Sequence, residues 1–181
     1  SISAQDSAGN ATTPQIALVA RQAAEEVSPG TFDGSGGTTQ QTNKFVDVIA
    51  GSYYEEAVKW AVENGITQGT DATHFSPEDI CTRGEVVTFL WRAAGSPEPK
   101  TDAMPFTDIP ADSYYYNAVL WAVENGITSG TSDTTFSPDA VCTRAQIVTF
   151  LWNSENSPAA GSSNPFTDVA ADTYYTDAVL W

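Results

Sequence analysis

The chain repeats itself, and an internal repeat limits the folds open to it before any single residue is considered. Phe45-Val-Asp-Val returns as Phe106-Thr-Asp-Ile and again as Phe166-Thr-Asp-Val. Between the first two units every landmark is displaced by 61 residues: Asp47 to Asp108, Tyr53-Tyr54 to Tyr114-Tyr115, Trp60 to Trp121, Phe75-Ser-Pro to Phe136-Ser-Pro, Cys81-Thr-Arg to Cys142-Thr-Arg, and Trp91 to Trp152. The third unit follows the second at an offset of 60 and reaches Trp181, the counterpart of Trp121. The expected organisation is an N-terminal helix and flexible linker (1–44), a first repeat (45–97), a joint (98–105), a second repeat (106–158), a joint (159–165) and a partial third repeat (166–181). The joints are rich in Pro, Gly and Ser, as linkers are. Within 1–44, Thr13-Pro14 reads as a helix start, and Ile16, Val19, Ala20, Ala23 and Val27 share one helical face.

Each repeat reads as helix, long ordered loop, helix. The first helix is expected over roughly 53–64, with Asp47 and Ser52 as candidate caps and Asn64-Gly65-Ile66 as its end. Tyr54, Ala57, Val58, Ala61 and Val62 line one side and Trp60 widens the stripe, which predicts a mostly buried helix. In the loop, Gly69 and its mate Gly130 supply a turn, and Phe75 anchors the loop to the core. The second helix begins at Thr82. Thr82-Arg-Gly-Glu85 and Thr143-Arg-Ala-Gln146 both fit the capping box, with Thr at the N-cap and Glu or Gln three residues on.

Capping does not call for Arg83 or Arg144. A cation at the first helical position opposes the helix dipole, at a cost of about 0.3–1 kcal/mol. The chain is strongly acidic, with 7 Lys+Arg against 23 Asp+Glu and a formal charge of −16, so its few cations stand out. Two readings follow. In one, free N–H groups at the helix start and the planar guanidinium receive an anion. In the other, Arg83 or Arg144 holds a neighbouring carboxylate such as Asp47 or Asp108.

Taken in order, Phe-x-Asp-Val, Tyr-Tyr-x-x-Ala-Val-x-Trp-Ala, Gly-Ile-Thr-x-Gly-Thr, Phe-Ser-Pro and Thr-Arg-Ala-Gln resemble the S-layer homology domain over residues 45–181. The resemblance implies an all-α fold. Tandem helix-loop-helix repeats would surround a central helix bundle as a three-pronged pseudo-trimer, its third prong incomplete in this sequence. It also implies a non-catalytic module on the extracellular face of the cell wall. Such a module binds acidic, pyruvylated secondary cell-wall polysaccharide non-covalently, with Arg83 and Arg144 meeting the acidic ketal. Thr82, Thr143, Gly69, Gly130, Tyr53 and Tyr114 complete the expected ligand-binding set. A self-assembling surface-layer or filament subunit, its third repeat completed by another chain, is the alternative.

Other chemistry is sparse. The acidic balance excludes a phosphate-neutralising surface for nucleic acid, and no apolar run approaches the roughly 20 residues of a membrane span. One His and two Cys cannot build a zinc cluster. Asp71, Asp79, Asp133 and Asp139 lack calcium-loop spacing, so no metal or cofactor is expected. His74 has no symmetry mate and reads as an exposed loop residue. Cys81 and Cys142 read as free core thiols, since a bridge would require equivalent sites of two repeats to come within about 7 Å.

Overall fold

Two capping boxes set the second helices of the repeats. In the computed structural model, which describes residues 44–181, Thr82 Oγ accepts the Glu85 N–H while the Glu85 carboxylate accepts the Thr82 N–H, and Thr143 and Gln146 make the same reciprocal pair. The expected N-terminal helix near Ile16–Val27 lies outside the described residues. Five helices are described: α1 (Glu55–Glu63), α2 (Arg83–Ala93), α3 (Tyr116–Glu124), α4 (Arg144–Ser154) and α5 (Thr176–Leu180). Among the described residues there is no sheet, only two isolated bridges, so the all-α expectation holds.

The helices stop by backbone chemistry. At the end of α3, Gly126 takes φ +67°, its N–H bonds the Val123 carbonyl, and the Ile127 N–H bonds the Ala122 carbonyl at 2.8 Å. This is a Schellman closure, and it turns Ile127 back into the core. At the end of α4 the same left-handed position is held by Asn156, at φ +63°.

The structure forms two compact units, one of residues 44–64 and 68–76, the other of 65–67 and 77–181. The division runs through the first repeat, because its second helix α2 packs on α3 and α4 of the second repeat. In the same way α4 packs on α5, so each second helix covers the first helix of the following repeat.

In the first unit, Phe45, Val48 and Val58 form a small core with Tyr54, Val62 and Phe75 against it. Asp47 does not cap α1. Its carboxylate accepts the N–H groups of Phe75 (2.9 Å) and Ser76 (2.7 Å), and so ties the loop to the start of the repeat. Those bonds, the Phe75 N–H first, hold the Asp47 pKa below the usual carboxylate value. Asp71 accepts the Thr73 N–H, the Thr73 hydroxyl and His74, which lowers its pKa to about 2. His74 is exposed as expected, but its ring pairs with Asp71 at 2.9 Å. On α1 only Val58 is buried and Ala57 is exposed, which corrects the expectation of a mostly buried helix. The matching Ala118, with Val119, Leu120 and Ala122, is buried on α3, where α2 covers it.

The second unit repeats the tether. Asp108 accepts from Phe136 N (2.9 Å) and Ser137 N (2.7 Å), and the Phe106 and Phe136 ring centres lie 5.9 Å apart. Ser137 needs φ +59° to present both N–H groups to one carboxylate. Phe136, Ile127 and Val119 are fully buried, and each contributes about 1.5–3 kcal/mol of hydrophobic stabilisation. The joints are also fastened. The Trp91 and Trp152 indoles donate to the Pro97 and Pro158 carbonyls, and Glu124 accepts from Lys100 N and Thr101 N.

Candidate functional site

The start of α2 is buried under the Pro138–Val141 segment of the second repeat. The Arg83 N–H donates to Ala140 O (2.9 Å), the Gly84 N–H to Pro138 O (2.9 Å), and the Glu85 N–H to Thr82 Oγ (3.3 Å). The expectation of free N–H groups ready for an anion is therefore corrected at this helix, since protein carbonyls and the cap already take them. Gly84 allows this approach: a Cβ here would stand 3.0 Å from the Tyr115 ring.

The Arg83 side chain remains. It is only 3% exposed. Its Nε donates to Phe136 O at 2.9 Å, and its guanidinium lies 4.7 Å and 5.2 Å from the ring centres of Phe136 and Phe150. Contact with two aromatic faces favours a cation at this point. Burial pulls its pKa below the usual guanidinium value, opposed by Cys142, Tyr174 and Asp108 nearby, yet arginine stays charged throughout. It forms no ion pair among the described residues; the Asp108 carboxylate is spent on the loop instead. The alternative in which Arg83 tethers a carboxylate is thus not what the fold builds. Nη2 is buried and has no hydrogen-bond partner among the described residues. A buried, unmatched cationic donor costs more than an ordinary missing bond.

Arg83 lines a cleft of about 930 Å³. The second repeat supplies its walls, through Gly130, Thr131, Gln146 and Asn153 among others, and Tyr174 of the third repeat closes one side. The cleft therefore draws on all three repeats. Gly130 sits at φ +89° against the Phe106 ring and the Thr135 carbonyl, where a Cβ would collide. Gly69 has the same conformation against Phe45 in the first unit.

The other expected site residues are placed differently. Thr82 and Thr143 are committed to their capping boxes. Tyr53 and Tyr114 are exposed and each stacks edge-on against its neighbouring Tyr. Burial and the Glu85 charge raise the Tyr114 pKa. Neither Tyr lines the Arg83 cleft; the third member of the series, Tyr174, does. The alignment of Tyr53, Tyr114 and Tyr174 was in the sequence, but which of the three meets an Arg depends on packing. Arg144 is exposed and lines a separate hollow of about 470 Å³ with Ala145, Val148, Phe166, Asp168 and Tyr175. The two Arg are equivalent in sequence and unequal in structure. Arg83 rests on the loop Phe136 of the following repeat, whereas Arg144 borders Phe166 and Tyr175.

The cysteines are both free, Cys142 buried and Cys81 exposed, so only one is the core thiol expected. Burial raises both thiol pKa values, helped by Glu85 at Cys81 and opposed by Arg83 at Cys142. No group of three or more His, Cys, Asp or Glu suited to a metal occurs among the described residues. No described helix is long and apolar enough to cross a membrane.

Comparison with known proteins agrees with these repeats. The S-layer homology domain matches at residues 44–87 and 105–148. A surface-layer 125 kDa protein of Lysinibacillus sphaericus is 34% identical over 72% of this chain and 11% of its own length. An endoglucanase of Bacillus sp. (strain KSM-635) is 34% identical over 57% of this chain and 11% of its own. An exoglucanase of Acetivibrio thermocellus is 30% identical over 60% of this chain and 10% of its own. The chain thus spans about a tenth of the length of these relatives. Two matched domains, each with its tethering Asp and its capped Thr-Arg helix, place this chain in the S-layer homology domain family.

Proposed function

We propose that this chain is a non-catalytic anchor that binds acidic, pyruvylated secondary cell-wall polysaccharide through the Arg83 cleft. The coarser statement, a cell-surface module that attaches to the cell wall, follows from the family. The observation that supports the finer one is the Arg83 guanidinium at the wall of a large cleft, its Nη2 buried and without a partner among the described residues. A ketal carboxylate would pair with the Arg83 guanidinium at the cleft wall; Thr131, Thr149 and Asn153 line the same cleft, each already bonded within the protein. The second repeat, with Arg83 from the first and Tyr174 from the third, is the binding unit in this reading. The stepwise covering of α3 by α2 and of α5 by α4 supports a three-pronged pseudo-trimer. Purified cell-wall sacculi should retain the protein, and chemical removal of pyruvate ketals should release it. Retention unchanged after ketal removal would overturn the ligand.

A further inference from the structure

Cys81 and Cys142 occupy equivalent positions in two repeats, 61 residues apart in the chain, and nothing in their spacing requires them to meet. The fold brings them together. Thr82 and Val141 form an antiparallel bridge, flanked by the bonds Cys142 N to Cys81 O (2.9 Å) and Arg83 N to Ala140 O (2.9 Å). In an antiparallel ladder this pattern makes Thr82–Val141 the non-hydrogen-bonded pair and Cys81–Cys142 the directly opposed pair beside it. Directly opposed residues send their side chains to the same face. An antiparallel ladder sets such Cα atoms about 5.5 Å apart, within the ~4.4–6.8 Å that a disulfide spans, and closure draws the two Cβ atoms in from about 5 Å to the ~3.5–4.5 Å the bond requires.

We propose that Cys81 and Cys142 form a redox site that closes to an intramolecular disulfide by exchange with an external disulfide. The inference stands on backbone register and is independent of the glycan reading. The roles of the two thiols follow from exposure: Cys81 is exposed and Cys142 buried. The Cys81 thiolate attacks one sulfur of the external disulfide, forms a mixed disulfide and expels a thiolate. The Cys142 thiolate then attacks Cys81 Sγ and expels the second thiolate. The two protons lost by the cysteines end on the two released thiols, so the protein is oxidised by two electrons and the reagent reduced by two. The cell surface lies outside the reducing cytosol, where such a bond persists. The bond would staple the start of α2 to the start of α4 at Thr82-Arg83 and Thr143-Arg144. It would fix the register that buries the Arg83 N–H, and with it one wall of the cleft.

The test is equilibration of the whole 181-residue chain with mixtures of reduced and oxidised glutathione, followed by mass spectrometry under acid quench. The expected product is about 2 Da lighter than the dithiol and carries no glutathione, with one peptide link joining Cys81 to Cys142. The effective concentration of the pair should exceed that of the same chain in concentrated urea by on the order of 100-fold, since the fold pre-pairs what the coil must find by chance. Cys142→Ser should divert the product to a glutathione adduct on Cys81, and Cys81→Ser should slow all reaction at Cys142. A stable Cys81 adduct in the unmutated folded chain, with Cys142 still reduced, would overturn the proposal. So would an effective concentration no higher than in urea.

Discussion

Replacing Arg83 with Met separates the two roles that the structure gives this side chain. Met keeps the length and apolar stem while removing the charge. The folded state loses the bond to the Phe136 carbonyl, about 1.5–3 kcal/mol for a charged donor. It also loses two aromatic contacts of about 0.5–1 kcal/mol each. Against this, it no longer buries an unmatched Nη2. Leaving a charged donor buried without a partner costs upward of about 1–3 kcal/mol, which the variant no longer bears. These contributions nearly cancel, so urea unfolding should put Arg83→Met within about 1.5 kcal/mol of the parent chain. Binding should behave otherwise. A ketal carboxylate left without its buried partner costs about 2–5 kcal/mol, on the order of 30- to 3,000-fold in affinity. The assay is calorimetric titration with a pyruvylated cell-wall glycan, beside circular dichroism to show that the variant is folded. Arg144→Met, at the exposed site, is the control and should lower affinity less than Arg83→Met. A folded Arg83→Met variant that binds within about threefold of the parent would refute the reasoning, because the guanidinium would then be a structural cation only.

Other expectations follow from particular contacts. Gly130→Ala puts a Cβ against Phe106 and the Thr135 carbonyl at a positive φ; chemical denaturation should show a loss of at least about 2 kcal/mol. Acid should weaken the fold through Asp47 and Asp71, whose folded pKa values lie below the unfolded ones. Their contribution is complete above about pH 4 and is lost as pH falls toward the folded value, about 2 for Asp71. Melting curves across that window should fall for the parent chain and flatten in an Asp47→Asn, Asp71→Asn double variant. Moderate salt should weaken glycan binding little, or strengthen it, because it screens repulsion between an acidic chain and an acidic polymer while the Arg83 contact stays buried. A steep loss of sacculus binding with added salt would point to diffuse attraction instead.

Much of the local structure was legible in the residues. The capping boxes at Thr82 and Thr143 are local devices, closed within four residues, and they formed as their pattern dictates. Gly126 ends its helix because a residue without a Cβ meets no penalty at positive φ. The partner of Asp47 was not legible. Its carboxylate looked like a helix cap but serves two N–H groups 28 and 29 residues away, a distance over which no local pattern speaks. The cleft was legible only in part. Arg83 stood out as a cation that the helix does not need, whereas Tyr174, Gln146 and Asn153 became its neighbours through the packing of α2, α4 and the third repeat.

The sequence by itself determined the repeat, the helices and the identity of the informative Arg, because period, caps and breakers act between residues close along the chain. The tertiary structure alone decided what surrounds Arg83. Arg83 is buried on the Phe136 and Phe150 rings of the next repeat, while Arg144 is exposed. It also decided that the α2 helix start has no free N–H for an anion and that Cys81 stands opposite Cys142. The reason is the same in each case. Every second helix is laid on the repeat that follows it, so what an identical motif becomes depends on the neighbour that receives it.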